Sequence, residues 1–122
     1  MHSGKELIGI GVDSVAWDRM KRFLADHSPE FVERLLSPAE QKSFRTRSNP
    51  LQFFARAFAA KEAFFKAFNH SGMGGDAGFR QIEIVMNEAE KFQVACDFQT
   101  DGEFFSTPEG IGAQVAVWGK PE

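Results

Sequence analysis

The sequence contains no tyrosine and a single cysteine, Cys96. Without tyrosine, no phenol can act as a general acid or base. One thiol cannot close an internal disulfide, which excludes a secreted, disulfide-stapled scaffold. Histidine is scarce too: His2, His27 and His70, with Cys96, are too scattered for the usual zinc spacings. Positive charge is not in excess. Fourteen Lys and Arg face seventeen Asp and Glu, for a net charge of −3, which disfavours a globally basic nucleic-acid binder. Long apolar runs are missing as well. Leu7 to Val12 is too short for a secretory signal core, and far too short for a membrane span. The expectation is a cytoplasmic protein that binds neither nucleic acid nor membrane.

What is present fits one globular domain over residues 1–122. Apolar residues make up 43% and charged residues 25%, ordinary values for a folded chain. Fourteen Phe and two Trp predict a phenylalanine-packed core. Residues 7–13 (LIGIGVD) read as a strand. Ile8, Ile10 and Val12 share one face, and Leu7, Gly9, Gly11 and Asp13 the other. Glycines inside a strand often mark a close backbone approach, so Asp13 ends the strand on a tightly packed face.

Residues 14–26 read as a helix with basic Arg19, Lys21 and Arg22, and Pro29 opens a short one. Ser37-Pro38-Ala39-Glu40 is a capping box that starts the next. Residues 50–69 form a long helix that is apolar nearly all round, the mark of a buried central element. A glycine-rich loop follows at 70–78. Strands are expected at 79–86 and at Phe92 to Phe98, with Cys96 alternating into the core. Gln99 to Gly110 reads as polar and irregular, enclosing Phe104-Phe105, and a last strand carries Ala113, Val115 and Val117. The order β-αααα-βββ predicts an α+β fold, an antiparallel sheet packed around one long central helix.

Two carboxylates stand out. Asp13 lies on the glycine face of the first strand, and Glu62 sits within the Phe58/Phe65 stripe of the buried helix. If that helix packs on that strand, the two acids meet, and a proton or cation must separate them. Two carboxylates with positions left for water and phosphate describe a Mg²⁺ site. Lys61 and Lys66 flank Glu62 and suit an anionic substrate, most naturally a phosphate ester. Backbone N–H groups of the glycine-rich loop, at Gly72 and Gly74, can approach the same anion. The plainer reading stays open beside this one: Asp13 as a helix cap, and Glu62–Lys66 as an ordinary i,i+4 pair.

GIGVD at 9–13, a basic helix, LLSPAE at 35–40 and FAAKEAFFKAF at 58–68 resemble, in order and spacing, holo-[acyl-carrier-protein] synthase. These are the small 4′-phosphopantetheinyl transferases. The resemblance implies the 4′-phosphopantetheinyl transferase fold. It implies transfer of phosphopantetheine from coenzyme A to a serine of an apo acyl carrier protein, releasing 3′,5′-ADP. It further implies Mg²⁺ on Asp13 and Glu62, with Glu62 and Lys66 catalytic, and a homotrimer with its sites between subunits. Lys61, Lys66 and Arg56 are expected at coenzyme A, and Arg19, Arg22 and Phe23 at the carrier protein. Glu62 and a water on the metal both stand as candidates for the base.

The chain departs from the family pattern at three places. Ala57 stands where the family has arginine, and Arg56 is one residue early, about 100° round the helix. The turn after Lys66 is longer and poorer in glycine at its start. Phe104 to Pro108 replaces a late family segment that carries histidine. These departures raise an alternative, a non-catalytic relative that binds carrier protein or coenzyme A without transfer.

Overall fold

The computed structural model describes residues 5–68, 75–87 and 90–119. In chain order it comprises β1 (Glu6–Ala16), α1 (Trp17–Asp26), α2 (Pro29–Glu33), α3 (Pro38–Thr46) and α4 (Pro50–Lys66). There follow α5 (Gly75–Gln81), β2 (Glu83–Met86), β3 (Lys91–Ala95), β4 (Gln99–Ser106) and β5 (Gly110–Gly119). The strands form one antiparallel sheet in the order β1-β5-β4-β3-β2. α4 packs against one face of it, chiefly on β1 and β5. The expected α+β architecture is the one observed.

Local chemistry accounts for the helix starts. Ser28 and Ser37 cap α2 and α3 through their hydroxyls, and the Ser37/Glu40 capping box is complete. Asn49 caps α4 by accepting from the Gln52 N–H, and Pro50 takes the first helical position, where no N–H is needed. The inner side of α4 is small. Ala55, Ala57, Ala59, Ala60 and Ala63 are all fully buried, so the helix can lie close to the sheet.

That closeness is strongest against β1. A Cβ on Gly9 would lie 1.9 Å from the Ala67 carbonyl oxygen, and one on Gly11 would lie 1.8 Å from that of Ala63. No side chain fits there. The glycine face of β1 is therefore pressed on the C-terminal half of α4. The other face, with Ile10 62% and Val12 50% exposed, turns outward.

Several expected boundaries move. β1 runs three residues past Asp13, so Asp13 lies within the strand and α1 starts at Trp17 rather than Ser14. Ala16, not Asp13, is the cap residue of α1, with no side-chain hydrogen bond. Residues 75–81 form a helix where a loop and the start of a strand were expected. Cys96 lies exposed in the β3–β4 turn, not in the core.

Gln99–Ser106 is a strand, not an irregular segment. Its inward positions are Thr100, Gly102 and Phe104, only one of them a large apolar residue. Gly102 is small because the Phe92 ring fills its place, within 2.4 Å of where a Cβ would sit. Thr100 is buried because its hydroxyl accepts from the Val94 N–H at 2.8 Å.

Gly11→Ala drives a methyl group into helix backbone that cannot swing aside, and is expected to cost about 3 kcal/mol. Gly112→Ala meets only the half-exposed Phe105 ring and is expected to cost less than about 1 kcal/mol. Urea unfolding midpoints check the contrast; equal losses would contradict the packing described.

Candidate active site

The strand–helix contact brings three charged side chains together. Asp13 follows Gly9 and Gly11 at period two, so it faces the same helix. Its Oδ1 accepts from the Lys66 Nζ at 2.7 Å. Among the described residues its second oxygen, Oδ2, has no hydrogen-bond partner. Glu62 lies one helical turn before Lys66, half-buried, and its charge acts on the Lys66 ammonium. The hydrogen bond that Lys66 donates to Asp13 holds it above the ordinary lysine value, and the charges of Asp13 and Glu62 add to this against a partial loss of solvent. Lys66 is thus cationic throughout the neutral range.

The cluster has the chemistry expected of an anion and divalent-metal site. Two carboxylates supply hard oxygen donors, and one oxygen of Asp13 is open. Mg²⁺ uses one or two protein carboxylates and completes its shell with water and phosphate oxygens. Among the described residues no three His, Cys, Asp or Glu side chains converge as a full protein cage. A two-carboxylate site does not require one.

Lys61 does something else. It is 0% exposed, and its ammonium donates to three oxygens. These are the Leu35 carbonyl at 2.9 Å, Glu40 Oε1 at 2.6 Å and the Phe79 carbonyl at 2.6 Å. All three donors of an ammonium are used. Burial pushes Lys61 below the ordinary lysine value, while the charge and hydrogen bond of Glu40 oppose that shift. Glu40 is 2% exposed; it also accepts from the Ser37 N–H at 2.9 Å and the Ile84 N–H at 2.6 Å. The expected contact of Lys61 with coenzyme A therefore gives way to a structural one. Its ammonium ties α4 to the α2–α3 turn, to α3 and to α5, and through Glu40 to β2. The sequence marks Glu40 as a cap, but its pairing with Lys61 is set by tertiary packing alone.

The other expected site residues divide. Arg56 lies nearer the start of α4. Its Nη2 donates to Glu90 Oε1 at 2.8 Å, its guanidinium sits 4.9 Å from the Phe104 ring centroid, and its buried Nε has no partner among the described residues. Together with Arg47 and Asn49 it lines a cavity of about 410 Å³. On α1, Arg19, Lys21 and Arg22 are exposed. Phe23 turns inward, stacking on His27 and Phe54 at 4.1 and 5.8 Å between centroids, so it anchors α1 more than it presents a surface. Gly72, Gly74 and His70 lie outside the described residues. A larger cavity, about 490 Å³, is on the outer face of the sheet, and none of Asp13, Glu62 and Lys66 lines it.

Removing one member of a buried ion pair strands the other. Lys61→Met is expected to destabilise the fold by about 3–5 kcal/mol. Thermal and urea unfolding measure this. A loss under about 1 kcal/mol would contradict the structural role of Lys61.

Comparison with known proteins places the chain in a family. A family model described as the 4′-phosphopantetheinyl transferase superfamily matches residues 9–117. The holo-[acyl-carrier-protein] synthase of Geobacillus kaustophilus is 39% identical over 99 residues, which cover 80% of this chain and 74% of that one. The crystal structure of the Neisseria meningitidis holo-[acyl-carrier-protein] synthase superposes with a TM-score of 0.79 at 26% identity, covering 92% and 98% of the two chains. The Bacillus anthracis holo-(acyl-carrier-protein) synthase, solved in complex with CoA (3′,5′-ADP), gives 0.75 at 26% identity over 93% and 98%. The match over nearly the whole chain assigns this protein to the 4′-phosphopantetheinyl transferase superfamily.

Proposed function

We propose that this chain transfers 4′-phosphopantetheine from coenzyme A to a serine of an apo acyl carrier protein. The observation that carries the reading is the cluster of Asp13, Glu62 and Lys66, in a chain whose curated relatives are named for this synthesis. The serine oxygen attacks the phosphorus that carries pantetheine. The phosphoanhydride bond to the nucleotide breaks, and 3′,5′-ADP leaves.

Asp13 and Glu62 are the residues that would hold Mg²⁺. When bound, the ion neutralises pyrophosphate charge and polarises a phosphoryl oxygen. Lys66, kept cationic by Asp13, attracts the phosphates and stabilises the charge that grows on the leaving oxygen. The Glu62 carboxylate is the acceptor for the serine proton. Arg56, with Arg47 nearby, offers a second cationic position for coenzyme A. Arg19 and Arg22 on α1 supply positive charge beside the site for an acidic carrier protein, despite the net charge of −3.

Incubation with coenzyme A, Mg²⁺ and apo carrier protein should add one phosphopantetheine to the carrier, read by intact mass. EDTA should prevent the gain, and Glu62→Ala should reduce it by at least about 100-fold while leaving the fold intact. No gain from folded protein across several carriers would favour the non-catalytic relative. Full activity in Glu62→Ala would remove its assigned role.

The same reading includes a homotrimer with sites between subunits. It is supported by the outer face of the sheet, where Ile10 and Val12 on β1 and Phe105 on β4 are exposed on either side of β5. Exposed large apolar residues gathered on one face mark contact sites. Light scattering should give three times the 13.6 kDa chain mass; a monomer at micromolar concentration would contradict the assembly.

A further inference from the structure

The ion pair between Arg56 and Glu90 lies outside the Asp13 cluster. Arg56 sits six residues before Glu62 and ten before Lys66 on α4, about 9 and 15 Å along the helix axis. It cannot serve the same phosphate as Lys66. Coenzyme A carries negative charge in two places, the pyrophosphate and the phosphate monoester on its ribose. With the pyrophosphate at Asp13, Glu62 and Lys66, the monoester is the group left for Arg56.

Arg56 is already engaged. Glu90 Oε1 lies 2.8 Å from its Nη2, and Glu90 is the one carboxylate among the described residues that line this cavity, against two arginines. The Glu90 backbone is in the left-handed region, at φ 63°, and its carbonyl oxygen accepts from the Phe104 N–H at 2.8 Å. The turn thus aims the carboxylate at the guanidinium. Glu90 is largely exposed, so the pair is weak and open to exchange. The buried Nε of Arg56, without a partner among the described residues, is a further donor for an incoming oxyanion.

We infer that Glu90 is an internal competitor that occupies Arg56 and sets the affinity for the ribose phosphate of coenzyme A. It stands where the phosphate oxygens would bind and withdraws when they do. This rests on the transferase reading, and it makes Glu90 a specificity-determining residue rather than a catalytic one.

The test is calorimetric titration of the wild-type protein and Glu90→Gln with coenzyme A and with 3′-dephospho-coenzyme A. Glu90→Gln should tighten coenzyme A binding about two- to fivefold, the range an exposed ion pair commands. It should leave binding of the dephospho compound unchanged. Asp97→Asn removes the same charge at the opposite end of β3, and should shift neither ligand. Coenzyme A binding that is unchanged or weakened in Glu90→Gln overturns the proposal. Equal tightening of both ligands, or an equal gain from Asp97→Asn, overturns it too, because either would reflect overall charge. Transfer by the wild-type protein, measured alongside, tests the transferase reading separately, so one can fail while the other stands.

Discussion

The site depends on how near β1 comes to α4. With hydrogen atoms in place of side chains at Gly9 and Gly11, the strand backbone rests on the carbonyl oxygens of Ala67 and Ala63. Any wider spacing would draw Asp13 away from Lys66, whose link to it is a single hydrogen bond of 2.7 Å. The alanines along the buried side of α4 serve the same end. Packing of small residues thus fixes where a charged cluster forms, and one of the fold's closest approaches lies two residues from its candidate metal ligand.

A second constraint sets the rotation of α4. Lys61 and Lys66 are the same residue type, five positions apart, yet about 140° apart around the helix. One points into the core and has three oxygen partners; the other reaches Asp13 at the edge of solvent. Burying an ammonium is costly unless every donor is met. The Lys61–Glu40 pair therefore stabilises one arrangement of α3, α4, α5 and β2, and penalises any rotation of α4 that would break it. Glu62, next in sequence to Lys61, owes its direction to that anchor.

Much of this was legible in the sequence. The capping box, the buried central helix and the glycine face of β1 each rest on local rules, and each is where those rules put it. The packing of β1 on α4 followed from combining two of them, and the contact it makes is that of Asp13 with Lys66. What was not legible depended on partners far apart in the chain. Lys61 reads as a phosphate contact until Leu35, Glu40 and Phe79 are seen around it. β4 lacks an apolar alternation because Phe92 fills the space above Gly102 and Thr100 is satisfied by the backbone of β3. Its neighbour pair divides accordingly, with Phe104 buried and Phe105 exposed. Arg56 was singled out, but its tie to Glu90 spans 34 residues and left no local signal.

The central claim is the proposal that Asp13 and Glu62, on the packed faces of β1 and α4, form one divalent-cation site. Binding of Mn²⁺ as a paramagnetic stand-in for Mg²⁺, followed by electron paramagnetic resonance in the presence of coenzyme A, tests it most directly. Asp13→Asn and Glu62→Gln preserve shape while removing charge. Each is predicted to weaken Mn²⁺ binding by about tenfold or more. Undiminished binding in both variants would contradict the account.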